Sequence, residues 1–172
     1  LLIVDDRADI ARSVSARAVH LGRNDLDVAT ARAILGPDAI IGGTANSYEE
    51  ARAVWQSGVD YLGVGPIYGT RSKDNPAPDM GLAVLARICA DSPLPIVAIG
   101  SITAARIPEV LAAGAHGVAV LSEVLLADDP AAATRRCVEA IEATLEVAAD
   151  AIVLAVGAGI EQAMSRFNPA GG

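Results

Sequence analysis

Aromatic residues are almost missing from this chain: one Trp, three Tyr and one Phe, 3% of 172 residues. A stacking platform for bases is therefore excluded. A basic excess is missing too. Thirteen Lys and Arg against 21 Asp and Glu leave a net charge of −8, so nucleic acid is not a partner, because little would neutralise its phosphates. Cysteine is scarce: Cys89 and Cys137 lack metal-type spacing and read as helix packing residues in a reducing compartment. No apolar run reaches the roughly 20 residues a spanning helix needs, and no signal peptide is recognisable. No membrane partner is expected, and the expected location is cytoplasmic. An initiator Met is lacking as well, since the chain opens on LLIVDD, inside an apolar run. A segment upstream is expected to be missing.

What is present is aliphatic. Hydrophobic residues make up 52%, mostly Ala, Val, Ile and Leu, which suits parallel strands flanked by Ala-rich helices. Apolar runs at 1–4, 18–21, 39–41, 61–64, 95–99 and 118–121 read as strands. Helical patterns follow at 8–15, 28–35, 47–57, 81–90, 103–113 and from Asp129-Pro130 to about Glu146. Ser47 and Glu50 form an S-x-x-E capping box, Thr103 is a candidate N-cap, and Pro108 interrupts its helix. Strict alternation means a parallel sheet with right-handed crossovers, either an open doubly wound sheet or a barrel. Six units beginning inside a strand fit a (β/α)8 TIM barrel with about six of its eight βα units present. The barrel is assigned to residues 1–146, and 147–172 to a tail or linker.

Ligands of parallel α/β proteins bind at the C-terminal ends of the strands. The residues there are Asp5 and Asp6; Arg23 and Asp25; Thr44 and Asn46; Thr70, Arg71, Ser72 and Lys73; Gly100 and Ser101; Leu121 and Ser122. Asp6 and Asp25 together suit one Mg2+, which takes one or two carboxylates and leaves the rest to water and phosphate oxygens. Spacing alone favours a plainer reading, in which Asp6 pairs with Arg7 and Asp25 caps the next helix. Gly100-Ser101 and Leu121-Ser122 offer backbone N–H groups to a phosphate or are plain turns. Residues 60–75, DYLGVGPIYGTRSKDN, read as a strand and an anion loop, or as a solvated loop with an incidental lysine. His20 and His116 read as packing residues.

Together, LLIVDDRADIA, VHLGRNDL, IIGGTANS, DYLGVGPIYGTRSKD, PIVAIGSIT and AAGAHGVAVLSEV resemble the thiamine phosphate synthase family, over about residues 1–141. The resemblance implies a TIM barrel that joins a hydroxymethylpyrimidine diphosphate to a thiazole phosphate, releasing pyrophosphate. It implies Asp6 and Asp25 as Mg2+ ligands, with Lys73 and Thr44 on the pyrimidine diphosphate. It also implies Thr70, Arg71 and Ser72 at the thiazole, and Gly100, Ser101, Leu121 and Ser122 at the thiazole phosphate. Asp5 stands where the family usually has asparagine, Arg23 where it has glutamine, and Ser101 where it has the second glycine of a pair. The family's basic grip on the diphosphate ends its second strand, ahead of Leu1. The chain alone is therefore expected to be poorly stable and nearly inactive; turnover equal to that of an upstream-completed protein would defeat this. A thiazole tautomerase shares this barrel but uses a histidine where Asn46 stands. A non-catalytic phosphate-binding barrel is the other alternative, and a fused thiamine-pathway domain beyond the apolar stretch 151–159 is compatible with the pattern.

Overall fold

The computed structural model describes residues 1–69 and 78–158, together with residues 162 and 166. Thr70, Arg71, Ser72 and Lys73 lie outside the described residues. Six strands alternate with helices: β1 (Val4–Asp5), α1 (Ala8–Ser13), β2 (Ala18–Leu21), α2 (Val28–Leu35), β3 (Ile40–Ala45), α3 (Tyr48–Trp55) and β4 (Tyr61–Val64). Then come α4 (Gly81–Asp91), β5 (Ile96–Ile99), a 3-10 turn (Ala104–Arg106), α5 (Ile107–Ala112), β6 (Gly117–Ala119), α6 (Ser122–Leu125) and α7 (Pro130–Ala158).

All neighbouring strands pair in parallel, and their spatial order is β1-β2-β3-β4-β5-β6. This order decides between the two candidate architectures. A doubly wound sheet reverses direction at a switch point. Here every right-handed crossover steps the same way, so all helices fall on one face and the other face becomes a barrel interior. The fold is six βα units of a TIM barrel.

Side-chain alternation sorts the two faces. Val19, Leu21, Ile41, Leu62, Val64, Ile96 and Ala98 point to the helices and are buried. There they meet Ala31, Ala51, Leu85, Ile88, Ile107 and Val110 in one continuous core. Each buried aliphatic side chain contributes about 1.5–3 kcal/mol. His20, Gly42, Thr44, Tyr61, Gly63, Val97 and Ile99 alternate with these and face the opposite, concave side.

Several boundaries differ from the sequence reading. β3 runs on through Gly42, Gly43 and Thr44, because strand pairing on both sides outweighs the low strand propensity of glycine. β6 stops at Ala119, and Ser122–Leu125 forms a short helix. Thr103 makes no side-chain cap; a 3-10 turn enters α5, and Pro108 sits in the first turn, where a missing N–H costs nothing. α7 continues beyond Glu146 to Ala158.

Candidate functional site

Most of the described residues named at the strand ends gather on one rim of the concave face, although Asp25 is not among those lining it. Asp5, Asp6, Gly22, Arg23, Thr44, Asn46, Gly100, Ser101, Leu121 and Ser122 all line a single trough of about 1860 Å3. That exceeds the roughly 300–1,000 Å3 of ordinary small-molecule pockets.

The plainer reading of the two aspartates fails. Arg7 pairs with Asp9, at 2.5 Å, rather than with Asp6. That pairing holds the Asp9 carboxyl down at about 2. The cap of α2 is Asp27, whose carboxylate accepts from Thr30 N at 2.9 Å. Asp25 instead turns back, its Oδ2 accepting from Gly22 N at 2.6 Å. Asp6 follows β1 in a left-handed conformation (φ 61°), with its N–H donating to the His20 carbonyl at 2.8 Å. Gly22 lies between the two. A Cβ there would stand 2.9 Å from Asp25 Oδ2 and 3.7 Å from Asp6 Oδ1, so both carboxylates flank the same glycine. The donors are hard oxygens, two in number, and suit Mg2+ better than a softer ion. Among the described residues no group of three or more His, Cys, Asp or Glu gathers as a closed metal cage.

Next to this pair, the β2 and β3 loops are laced together. Arg23 donates to Asn46 Oδ1 at 2.9 Å and pairs with Glu50 at 2.7 Å. Ser47 caps α3, its Oγ accepting from Glu50 N at 3.1 Å, while Glu50 Oε2 accepts from Asn46 N, one residue before the cap, at 2.8 Å. The amide of Asn46 donates to the Gly65 carbonyl at 2.5 Å, tying in the β4 exit.

His20 and Tyr61 occupy the trough floor, and the sequence reading gave neither a place in the site. His20 Nε2 lies 2.9 Å from Thr44 Oγ1, and Nδ1 lies 3.1 Å from the Tyr61 hydroxyl. The ring spans three strands because Gly42 and Gly63 beside it have no side chains. Burial lowers the His20 pKa from 6.5, partly offset by the Asp5 and Asp25 charges. Burial raises that of Tyr61. A depressed histidine pKa means the unfolded chain binds its proton more readily than the fold does. Stability from this group is thus complete above about pH 6.5 and declines as pH falls towards the lower folded value. Melting temperatures should drop between pH 7.5 and 5, and His20→Gln should flatten that slope. Equal slopes in both proteins would refute the assignment.

At the far end of the trough, Gly100 (φ 110°) and Ser101 (φ 48°) are both left-handed. Gly100 presses on the β4 exit, where a Cβ would meet Pro66 Cα at 2.6 Å and Ile67 N at 2.8 Å. The Gly100 carbonyl accepts from Tyr68 N at 3.3 Å, and the Ser101 carbonyl accepts from Arg106 at 2.8 Å. Among the described residues, the N–H groups of Gly100, Ser101 and Ile102, and of Leu121 and Ser122, donate to no protein acceptor. Two short runs of backbone donors thus border one end of the trough.

Comparison with known proteins extends this picture. A family model described as thiamine monophosphate synthase (TMP-TENI) matches residues 1–124. The chain is 48% identical over 147 residues to the thiamine-phosphate synthase of Salinibacter ruber, covering 86% of this chain and 65% of that protein. It is 50% identical over 141 residues to the thiamine biosynthesis bifunctional protein ThiM/ThiE of Symbiobacterium thermophilum, covering 82% and 29%. The solved structure of a thiamine phosphate pyrophosphorylase from Pyrococcus furiosus superposes with a TM-score of 0.77 at 39% identity, covering 84% and 69%. A 3-hexulose-6-phosphate synthase, at 23% identity and a TM-score of 0.58, shares the fold. The chain spans about two thirds of the length of the Salinibacter relative.

Proposed function

Because the chain belongs to the thiamine monophosphate synthase family, we propose that it carries the synthase active face. In this reading it condenses a hydroxymethylpyrimidine diphosphate with a thiazole phosphate, giving thiamine phosphate and pyrophosphate. The observation that carries the proposal is the pair of carboxylates, Asp6 and Asp25, flanking Gly22 at the ends of neighbouring strands. Each belongs to a different βα unit, and neither makes the local contact that the plainer reading required.

Asp6 and Asp25 would hold Mg2+. When bound, it supplies positive charge against the diphosphate oxygens. Lys73, from the segment outside the described residues, adds a cation beside the leaving pyrophosphate. Asp5 and Thr44 bound the pyrimidine side, and Thr44 is oriented by its bond to His20. Thr70, Arg71 and Ser72 are assigned to the thiazole. The backbone donors of Gly100, Ser101, Leu121 and Ser122 would take its phosphate, fixing the ring for attack and supplying the orientation term. The protein needs no nucleophile of its own, because the thiazole nitrogen attacks the pyrimidine methylene once pyrophosphate departs.

A tautomerase reading has less support. Asn46 stands where that relative uses histidine, and both ends of its amide are engaged by Arg23 and Gly65. Cytoplasmic residence fits the two unpaired thiols, Cys89 and Cys137, and the bifunctional Symbiobacterium relative makes a fused partner domain a reasonable arrangement.

Isothermal titration tests the proposal. The chain should bind thiazole phosphate, and should bind pyrophosphate only with Mg2+ present. Binding of thiazole phosphate alone would favour a phosphate-binding relic. Binding of neither would overturn the assignment.

A further inference from the structure

We infer that Arg106 is a positioning residue for the thiazole-phosphate cup, and that it is required because residue 101 is a serine. The inference rests on the synthase reading above. Ser101 sits at φ 48° directly after Gly100 at φ 110°. A side chain in the left-handed region is disfavoured by the crowding of its Cβ against the backbone, so a local contact is needed to hold it there. Arg106 supplies that contact, donating from its guanidinium to the Ser101 carbonyl at 2.8 Å.

The guanidinium is itself fixed from behind. It lies 4.3 Å over the Tyr68 ring, within the range of a cation–π contact. The Tyr68 hydroxyl donates to Glu109 at 2.5 Å, and burial followed by this bond pushes its pKa up to about 12. Tyr68 N–H holds the Gly100 carbonyl at 3.3 Å. Both carbonyls of the turn are therefore tied down on the side away from the trough. A peptide plane carries its N–H opposite its C=O, so fixing the carbonyls of Gly100 and Ser101 orients the N–H groups of Ser101 and Ile102. Arg106 does not line the trough, whereas Ser101 and Ile102 do. Its effect on a bound phosphate thus passes through the backbone it holds.

The pairing explains a departure from the family pattern. With glycine at 101, the left-handed turn needs no brace; with serine, it needs Arg106. Titration of thiazole phosphate, and of the unphosphorylated thiazole alcohol, into the full chain and its variants tests this. Arg106→Ala should weaken thiazole phosphate binding about tenfold and leave the alcohol unchanged. Adding Ser101→Gly to Arg106→Ala should restore most of the affinity. If Arg106→Ala does not fold, Arg106→Met, which keeps bulk over Tyr68 but loses the donor, takes its place in both arms. Unchanged affinity in the arginine variant, or a loss that glycine at 101 fails to restore, overturns the proposal. A parent chain that binds no thiazole phosphate overturns the synthase reading, and this proposal with it.

Discussion

Replacing Asp25 with alanine should abolish Mg2+-dependent binding of pyrophosphate and leave thiazole phosphate affinity within twofold of the parent. In the proposed reading the two ligands take opposite ends of the trough, and Asp25 lies beside Gly22 at the β1–β2 end, away from Gly100 and Ser101. Loss of groups that merely orient a metal ligand typically costs 10–100-fold in affinity; loss of one of two protein ligands should cost at least about 100-fold. The fold should tolerate the change. Asp25 is exposed, and among the described residues its side chain makes one hydrogen bond, accepting from the neighbouring Gly22 N–H, which water can reach once the carboxylate is gone. Isothermal titration with and without Mg2+ reads both arms. Pyrophosphate binding that persists at parental strength would remove Asp25 from the metal site. An equal loss of thiazole phosphate binding would show that the change had damaged the whole face.

Substitution of Gly65 should have the largest effect on stability. Its Cβ would fall against the Ile99 carbonyl oxygen and stand 3.0 Å from the Ile99 carbonyl carbon. Those atoms are backbone, and the same oxygen already accepts from Ile67 N at 2.9 Å. No rotamer change relieves the clash, so the exits of β4 and β5 must separate. Overpacking that side chains can absorb costs about 1–3 kcal/mol. Here Gly65→Ala should exceed about 3 kcal/mol, a large share of the 5–15 kcal/mol that stabilises a typical domain. Gly117→Ala is the matched control, since nothing lies within 4 Å of its Cβ position. Urea midpoints should fall steeply for the first and stay near the parent for the second. A Gly65→Ala midpoint equal to that of the control would show that the strand exits yield easily.

Much of the architecture was legible because alternation and period are local signals. Runs such as those at 18–21 and 61–64 carried their strands outright, and the Ser47–Glu50 box marked the start of α3, with the Ser47 cap formed and the Glu50 carboxylate reaching one residue further back, to Asn46 N. β3 was read short because Gly42 and Gly43 resemble a turn. Their purpose emerges only across strands, where Gly42 makes room for His20 and Tyr61 on one face. Gly43 makes room for Val54 and Val59 on the other. The same cross-strand dependence hid His20 as a floor residue. Nothing near position 20 in sequence reports Thr44 or Tyr61, although glycines at 42 and 63 facing one another's strands were the available clue. The choice between metal pair and helix cap could not be made from spacing at all. The cap itself goes to Asp27, two residues further along, which removes the capping role for Asp25. Thr70, Arg71, Ser72 and Lys73, the stretch richest in chemistry by sequence, lie outside the described residues, and their roles rest on the family pattern.

Asn46 bears on how this barrel could change its chemistry. Its side chain accepts from Arg23 and donates to the Gly65 carbonyl, while its N–H is held by Glu50. A histidine introduced at this position would find the same two partners waiting. One ring nitrogen would accept from Arg23 and the other would donate to Gly65, leaving neither for proton transfer. Acquiring a tautomerase-like acid–base group would then take changes in the β2 loop or the β4 exit as well. On this geometry, position 46 joins three loops, so a change of chemistry there is expected to need coordinated changes in all of them.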